Sequence, residues 1–579
     1  MASQPTAGSP VSPPPLLPGL FGNFRFDAIA GFLVFLIAMP LCLAISRASG
    51  FPPIAGIWTA VIGGLVTTFL SNAQLTIKGP AAGLIVIVAG AVSELGMHFG
   101  ADLPDADRAM MGYKLALGIG VAAGVVQILF GLIKAGRLAD FFPLTPVHGM
   151  LASIGIIIIV KQMYEVIGVA APKGAPGAEP PGPLELLWMF PGRLSEMNPE
   201  IAIIGILGLA ILFGLQAVKN KWVRKVPAQL VVIVVAVGLG AAFDLEHEHT
   251  YLFPAHYFNG DISDGEYTIG PKFLVTIPDV LSHPADAFVL PDFRGLATGT
   301  GLKYLMLFTL IGSLESLLSA KAIELLDPWK RKTNFDRDLI AIGLANTLAA
   351  CVGGLPMISE IVRSSANINN GARTKMANAY HGLFLLAFVL LVPTLIHRIP
   401  LAVLGAMLVF TGFRLASPAS FIRTFRVGSD QFFVFIGTIL ATLATDLLIG
   451  IASGIVLEAA VLLWHFKPLS SDVRIYRDED RVVLNVRSSA VFWNWISLRG
   501  IILKEAAIHR EIVIDLSKAL VVDHSVMEKL HELEAEFQAG GKHLEVIGMD
   551  GHTPMSNHPF AARKQSGLPQ PAAPPVLAT

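Results

Sequence analysis

The stretch FFVFIGTILATLATDLLIGIASGIVLEAAVLLW, residues 432–464, holds two acids and no Lys or Arg. Runs of comparable character recur along the chain, such as FDAIAGFLVFLIAMPLCLAI (26–45) and GLFLLAFVLLVPTLI (382–396). Crossing a bilayer takes about 20 predominantly apolar residues. Of the 579 residues only 15% are charged, and the mean hydropathy is +0.63. A soluble domain carries roughly 25% charged residues. This is the pattern of a polytopic membrane protein. A net charge of −1 and the lack of a long basic run exclude a nucleic-acid partner. Cys42 and Cys351 both sit in apolar surroundings, too few for a disulfide framework or a metal cluster.

Fourteen spans are expected between Phe26 and Phe466. Lys and Arg prefer the cytoplasmic side. Alternate loops carry KAGR (134–137), KNKWVRK (219–225), WKRKTNFDR (329–337), GARTK (371–375) and RTFR (423–426). The segment 243–293 between them holds nine acids against Lys272 alone among Lys residues. That alternation puts both termini in the cytoplasm, with the spans in a cell (inner) membrane. Residues 1–24 are Pro-rich, without a basic start followed by an apolar core, and read as a disordered tail.

From residue 470 to 564 the chain turns charged and mixed. DVRIYRDEDRVVLNV alternates as a strand pair, EIVIDLS (511–517) reads as a buried strand, DHSVMEKLHELEAEFQ as a capped amphipathic helix, and HLEVIG as another strand. A small α/β domain is expected there, followed by a disordered 565–579. The membrane part is 25–467.

Two membrane segments are interrupted: KGPAAGLIV around Pro80 and GGLPMISEIV around Pro356. Irregular backbone at membrane depth is tolerated only where it is packed in protein or lines a cavity. Paired broken helices in two halves of a transporter mark its binding site. A helix that begins in mid-membrane offers free N–H groups and the positive end of its dipole, so two such ends facing each other suit an anion. With proline in the first helical turn, helices are expected to start at Pro80 and Pro356. Two Pro-kinked helices packed tightly are the alternative.

MPLCLAISRASGFPPIAGIWTAVIGG (39–64), IKGPAAGLIVI (77–87), LIGSLESLLSA (310–320), GGLPMISEIVRSSANINNGARTK (353–375), TDLLIGIASGIVL (445–457) and IVIDLSKALVVDHS (512–525) together resemble the sulfate-permease (SulP) anion transporters. The soluble tail of that family is a STAS domain, and the resemblance covers about residues 25–550. It implies an α-helical polytopic membrane protein with 14 transmembrane segments in a 7+7 inverted repeat of core and gate domains, plus a cytoplasmic α/β STAS domain. It also implies an anion held between the half-helices of spans 3 and 10, and in many members a homodimer. Family members carry sulfate, bicarbonate, chloride or small dicarboxylates.

On that basis the anion-binding residues are Pro80, Ala81, Ala82, Met357, Ile358, Ser359 and Arg363. A guanidinium offers a planar fork of donors that suits an oxyanion. An internal ion pair with Glu360, three residues back, is the competing reading. Glu315 lies inside span 8, and an intramembrane acid is a functional residue by default. With Ser316, Ser319 and Glu360 it is expected to couple anion movement to Na+ or H+. The alternative is a packing carboxylate held by the hydroxyls of Ser313, Ser316 or Ser319. Lys78 either draws anions or snorkels toward the cytoplasm. Family members often carry a carboxamide just after the span-1 proline, where this chain has Leu41 and Cys42. Asp446 reads as closing a turn between spans. Ser525 stands near the place of a phosphorylatable serine in STAS relatives, but a plain helix cap is the simpler reading. His247/His249 and His552/His558 read as exposed histidines. No cofactor and no resident metal is expected, and nothing resembles an enzyme active site.

Two functions stay open from sequence. One is secondary active transport of an inorganic anion, sulfate or bicarbonate, coupled to Na+ or H+. The other is a non-transporting anion sensor signalling through the STAS domain. Nucleobase transport is a weaker third, opposed by Arg363 and by the positive ends of the two half-helices.

Overall fold

The computed structural model describes residues 16–17, 19, 21–136, 143–172, 181–218, 227–253, 265–465, 471–478, 481–539 and 541–566. Most of both Pro-rich tails and all of the basic loop 219–225 lie outside this set. In chain order the first helices are α1 (Phe24–Ala48), α2 (Pro53–Leu70), α3 (Ile85–Gly100), α4 (Asp105–Leu132), α5 (Leu144–Val166), α6 (Pro183–Arg193), α7 (Pro199–Ala217) and α8 (Ala228–Ala242). There follow α9 (Gly299–Leu326), α10 (Phe335–Cys351), α11 (Ile361–Asn369), α12 (Met376–Leu391), α13 (Pro393–Ile396), α14 (Leu401–Leu415), α15 (Pro418–Val427), α16 (Ser429–Ala444) and α17 (Leu447–His465). Nine helical segments among the described residues are long and apolar enough to span a bilayer, and α8, α12 and α16 are shorter apolar helices. With α10 and the nine-residue α11, each of the fourteen expected spans has its helix. Helices α6 and α15 were not anticipated; at 11 and 10 residues neither is long enough to cross.

The chain divides into two units. One comprises residues 1–136, 220–233 and 275–399; the other comprises 137–219, 234–274 and 400–579. In the first, α1, α2 and α12 meet through glycine. A Cβ at Gly64 would collide with the backbone of Asn378 and Gly382, and one at Gly31 with the backbone of Ala377. Lipid supplies no hydrophobic drive between helices, so close backbone approach at small residues provides the packing. In the second, Gly155 on α5 faces Gly412 on α14 in the same way.

The interrupted segments differ from expectation. Residues Ile77–Pro80 form a strand, β1, and Met357–Glu360 form another, β4; they pair antiparallel with Lys78 opposite Ser359 and Pro80 opposite Met357. Strands β2 (His249–Phe253) and β3 (Gly265–Ile269) make a separate hairpin in the other unit. Proline therefore ends β1 and precedes β4 instead of starting a helix. A short 3₁₀ turn, Ala82–Leu84, leads into α3, while α11 begins directly after Glu360. Pairing satisfies backbone groups that an unwound segment would otherwise leave bare at membrane depth.

The C-terminal part of the second unit is an α/β sheet. It comprises β5 (Ser471–Arg477), β6 (Arg481–Ala490), β7 (Glu511–Asp515), β8 (Ala519–Val522), β9 (His543–Ile547), β10 (His552–Pro554) and β11 (Arg563–Gln565), with helices α18 (Trp495–Ala506) and α19 (His524–Ala539). Strand β6 pairs in parallel with β7 and β8, and antiparallel with β5. Val482, Leu484, Ile512 and Ile514 pack with Ile502 of α18 and Leu530 of α19 in one buried core. Strand β8, helix α18 and the β10–β11 pair were not read from sequence. Two side-chain readings change as well. Asp523, not Ser525, caps α19, its Oδ1 accepting from Val526 N at 2.7 Å. His552 is buried, with Nε2 2.6 Å from the Ala519 carbonyl oxygen.

Candidate anion-binding site

Several fixed donors hold the β1–β4 pair in place. Ile77 N donates to Ser364 Oγ at 2.8 Å, Lys78 N to Asn378 Oδ1 at 3.1 Å, and Met357 N to Asn346 Oδ1 at 2.6 Å. Asn346 Nδ2 in turn donates to Gln127 Oε1 on α4 at 2.8 Å. Helices α4, α10, α11 and α12 thus all fix these two short strands, as a preorganised site requires.

Arg363 sits in the first turn of α11, closer to the helix start than a helix begun at Pro356 would place it. It is 1% exposed, and none of Nε, Nη1 and Nη2 has a hydrogen-bond partner. The ion pair with Glu360 that competes for it is therefore not made. Buried polar groups are ordinarily satisfied, and a buried charge without a partner is costly. The guanidinium lies against the backbone of β1: a Cβ at Gly79 would collide with Arg363 Nη1. Around it, Ala81, Met357, Ile358 and Ser359 are buried, and Pro80 and Ala82 complete the turn into α3.

Glu315 approaches the same turn from α9. A Cβ at Gly83 would collide with its carboxylate, and its Oε2 is buried without a partner. Glu360, at the cap position of α11, lies within electrostatic reach of it. Ser316 Oγ accepts from Ser359 N at 3.0 Å and donates to Ser359 Oγ at 3.1 Å, tying α9 to β4. Ser319 is buried one turn further on. The serines expected to hold the Glu315 carboxylate are thus partly committed elsewhere.

Lys78 neither snorkels nor stands free. Its Nζ lies 2.9 Å from both Oδ1 and Oδ2 of Asp338 on α10 and also donates to Ser359 Oγ. Asp338 further accepts from Ser71. Two residues at the site were missed from sequence. His381 on α12 is fully buried, neither ring nitrogen has a partner, and it lies within electrostatic reach of Arg363. Cys42 on α1 is fully buried beside Arg363 and Glu360. A histidine inside an apolar run was the available signal for the first. Asp446 is confirmed at a turn, capping α17 through Ile449 N at 2.8 Å. Among the described residues no group of three or more metal-ligating side chains occurs.

Residues 24–438 match the sulfate permease family. The bicarbonate transporter BicA of Picosynechococcus sp. is 25% identical over 513 residues, 88% of this chain and 82% of that protein. YvdB of Bacillus subtilis (strain 168), named provisionally a sulfate transporter, is 26% identical over 471 residues, 80% of this chain and 78% of its own. The solved transmembrane domain of a cyanobacterial BicA superposes with a TM-score of 0.58 at 24% identity, covering 74% of this chain and 98% of that one. The structure of SLC26A9 gives 0.61 at 15% identity, over 91% of this chain and 84% of that one. These relatives are transporters and not enzymes. The chain belongs to the sulfate permease family.

Proposed function

We propose that the protein is a secondary active transporter of an inorganic oxyanion, sulfate or bicarbonate, bound where the β1–β4 pair meets the starts of α3 and α11. The observation that carries this is Arg363: a buried guanidinium with three unpartnered nitrogens against Gly79. An oxyanion there would complete the missing hydrogen bonds, and the first turns of α3 and α11 add the positive ends of their dipoles. Pro80, Ala81, Ala82, Met357, Ile358 and Ser359 would surround it.

Glu315, with Ser316, Ser319 and Glu360, is the coupling group. Ser359, one of the hydroxyls a sodium ion would use, already receives the Lys78 ammonium, which supports a proton over sodium. The C-terminal sheet is a STAS domain, the protein is a homodimer in the cell (inner) membrane, and both termini are cytoplasmic. Uptake of labelled sulfate, bicarbonate, chloride and succinate into liposomes of purified protein, under imposed pH or sodium gradients, tests the reading. Accumulation of one oxyanion driven by a pH gradient is expected. Binding of an anion without flux would replace the transporter with a sensor.

A further inference from the structure

A polar cavity lies within the other unit. It has a volume of about 120 Å³ and is lined by His148 from α5, Arg423 from α15, His524 and Glu528 from α19, and His558 and Phe560 beyond β10. It forms where the C-terminal domain meets the first turn of α5. There the fully buried Ser525 Oγ lies 3.4 Å from Leu144 N and accepts from it, which leaves this serine no room for a phosphate in the docked arrangement.

The hydrogen bonds fix how the imidazoles face the space. His558 Nδ1 accepts from Phe560 N at 3.2 Å, so its neutral ring carries the proton on Nε2 and is a donor on the far side. His524 Nδ1 lies 2.8 Å from the Phe560 carbonyl oxygen and therefore carries hydrogen, while Nε2 lies 3.5 Å from Glu528 Oε2. Burial holds the His524 pKa below its usual value; Phe560 and Glu528 pull it up, and His558 and Arg423 push it down. Glu528 is thus committed to His524. Among the described residues the exposed Arg423 and the half-buried His148 make no hydrogen bond or ion pair. The Arg423 guanidinium and the Nε2–H of His558 offer donors to a space large enough for a small tetrahedral ion, with Glu528 as the one carboxylate in the lining.

We propose that this cavity binds a phosphate-class oxyanion that bridges Arg423 on α15 to His558 of the C-terminal domain and so stabilises docking of that domain on α5. Its chemistry fits either a free ion or a lipid headgroup, since α15 exposes Ile422 and Phe425 beside Arg423. The site is separate from transport: neither Arg423 nor His558 belongs to the β1–β4 region.

The test uses the full chain, wild type and Arg423→Gln, with thermal unfolding as readout at fixed ionic strength. In lipid-free detergent, inorganic phosphate replaces chloride; in nanodiscs without phosphate, anionic phospholipid replaces zwitterionic. Wild type should be stabilised in one arm, with the half-effect concentration raised about 10-fold or more in Arg423→Gln, and His558→Gln should act in the same direction. A response in detergent identifies a free ion, and one confined to nanodiscs a headgroup. No response in either arm, or equal responses in wild type and Arg423→Gln, overturns the proposal. Affinity for the transported anion, measured by flux on the same preparations, should not change in Arg423→Gln, so failure here and failure of the transport reading are told apart.

Discussion

The Lys78 ammonium lies 2.9 Å from the Asp338 carboxylate, with the two side chains 1% and 0% exposed. The pair joins β1 to α10 and, through Ser359, touches β4. Removing one partner from a buried pair strands the other charge, at about 3–5 kcal/mol, whereas replacing both by apolar groups is often tolerated. Lys78→Met alone should therefore unfold at markedly lower temperature in a thermal scan of purified protein. The double variant Lys78→Met/Asp338→Leu should recover most of the loss. Equal destabilisation of single and double variants would mean the pair is not what holds β1.

Gly83 has no room for a side chain, because the Glu315 carboxylate occupies the place of its Cβ. Gly83→Ala should displace Glu315 and reproduce Glu315→Gln: gradient-driven accumulation lost, with some anion exchange retained. Liposome uptake with and without an imposed pH gradient measures both. Full accumulation by both variants would reduce Glu315 to a packing residue.

Much of this was legible in the chain. Apolar runs of membrane length mark the spans because burial in lipid leaves little else for them to do. Gly-Pro and Gly-Gly-Leu-Pro mark both interruptions. That the interruptions pair as strands was not legible, because the partner of a four-residue strand lies 281 positions away, as between Lys78 and Ser359. The same holds for Lys78, whose partner Asp338 lies on another span, and for His381, whose meaning depends on facing Arg363. In the C-terminal domain the alternating strands were readable. The four-residue β8 and the helix α18, whose apolar and polar residues are interleaved with Gly500, were not.

Asp523 caps α19 while accepting from Phe492 N and Val526 N at 2.7 Å each. Burial raises its pKa from the ordinary 3.8 to about 6, against the pull of those two donors. A raised carboxylate stabilises the fold below pH 3.8, and that contribution is lost as pH climbs through about 6. Relative to Asp523→Asn, wild type should lose about 2 kcal/mol between pH 4 and pH 7. Thermal scans of both proteins across that window check the sign. A constant difference would show that Asp523 does not titrate there.

The most direct test of the account is anion affinity in Arg363→Ala, measured by concentration-dependent uptake into liposomes of well-folded protein. Loss of a charge-assisted contact worth about 1.5–3 kcal/mol should weaken half-saturation roughly 10- to 100-fold. An unchanged half-saturation concentration would contradict the assignment of Arg363, and of the β1–β4 junction, as the place where the anion binds.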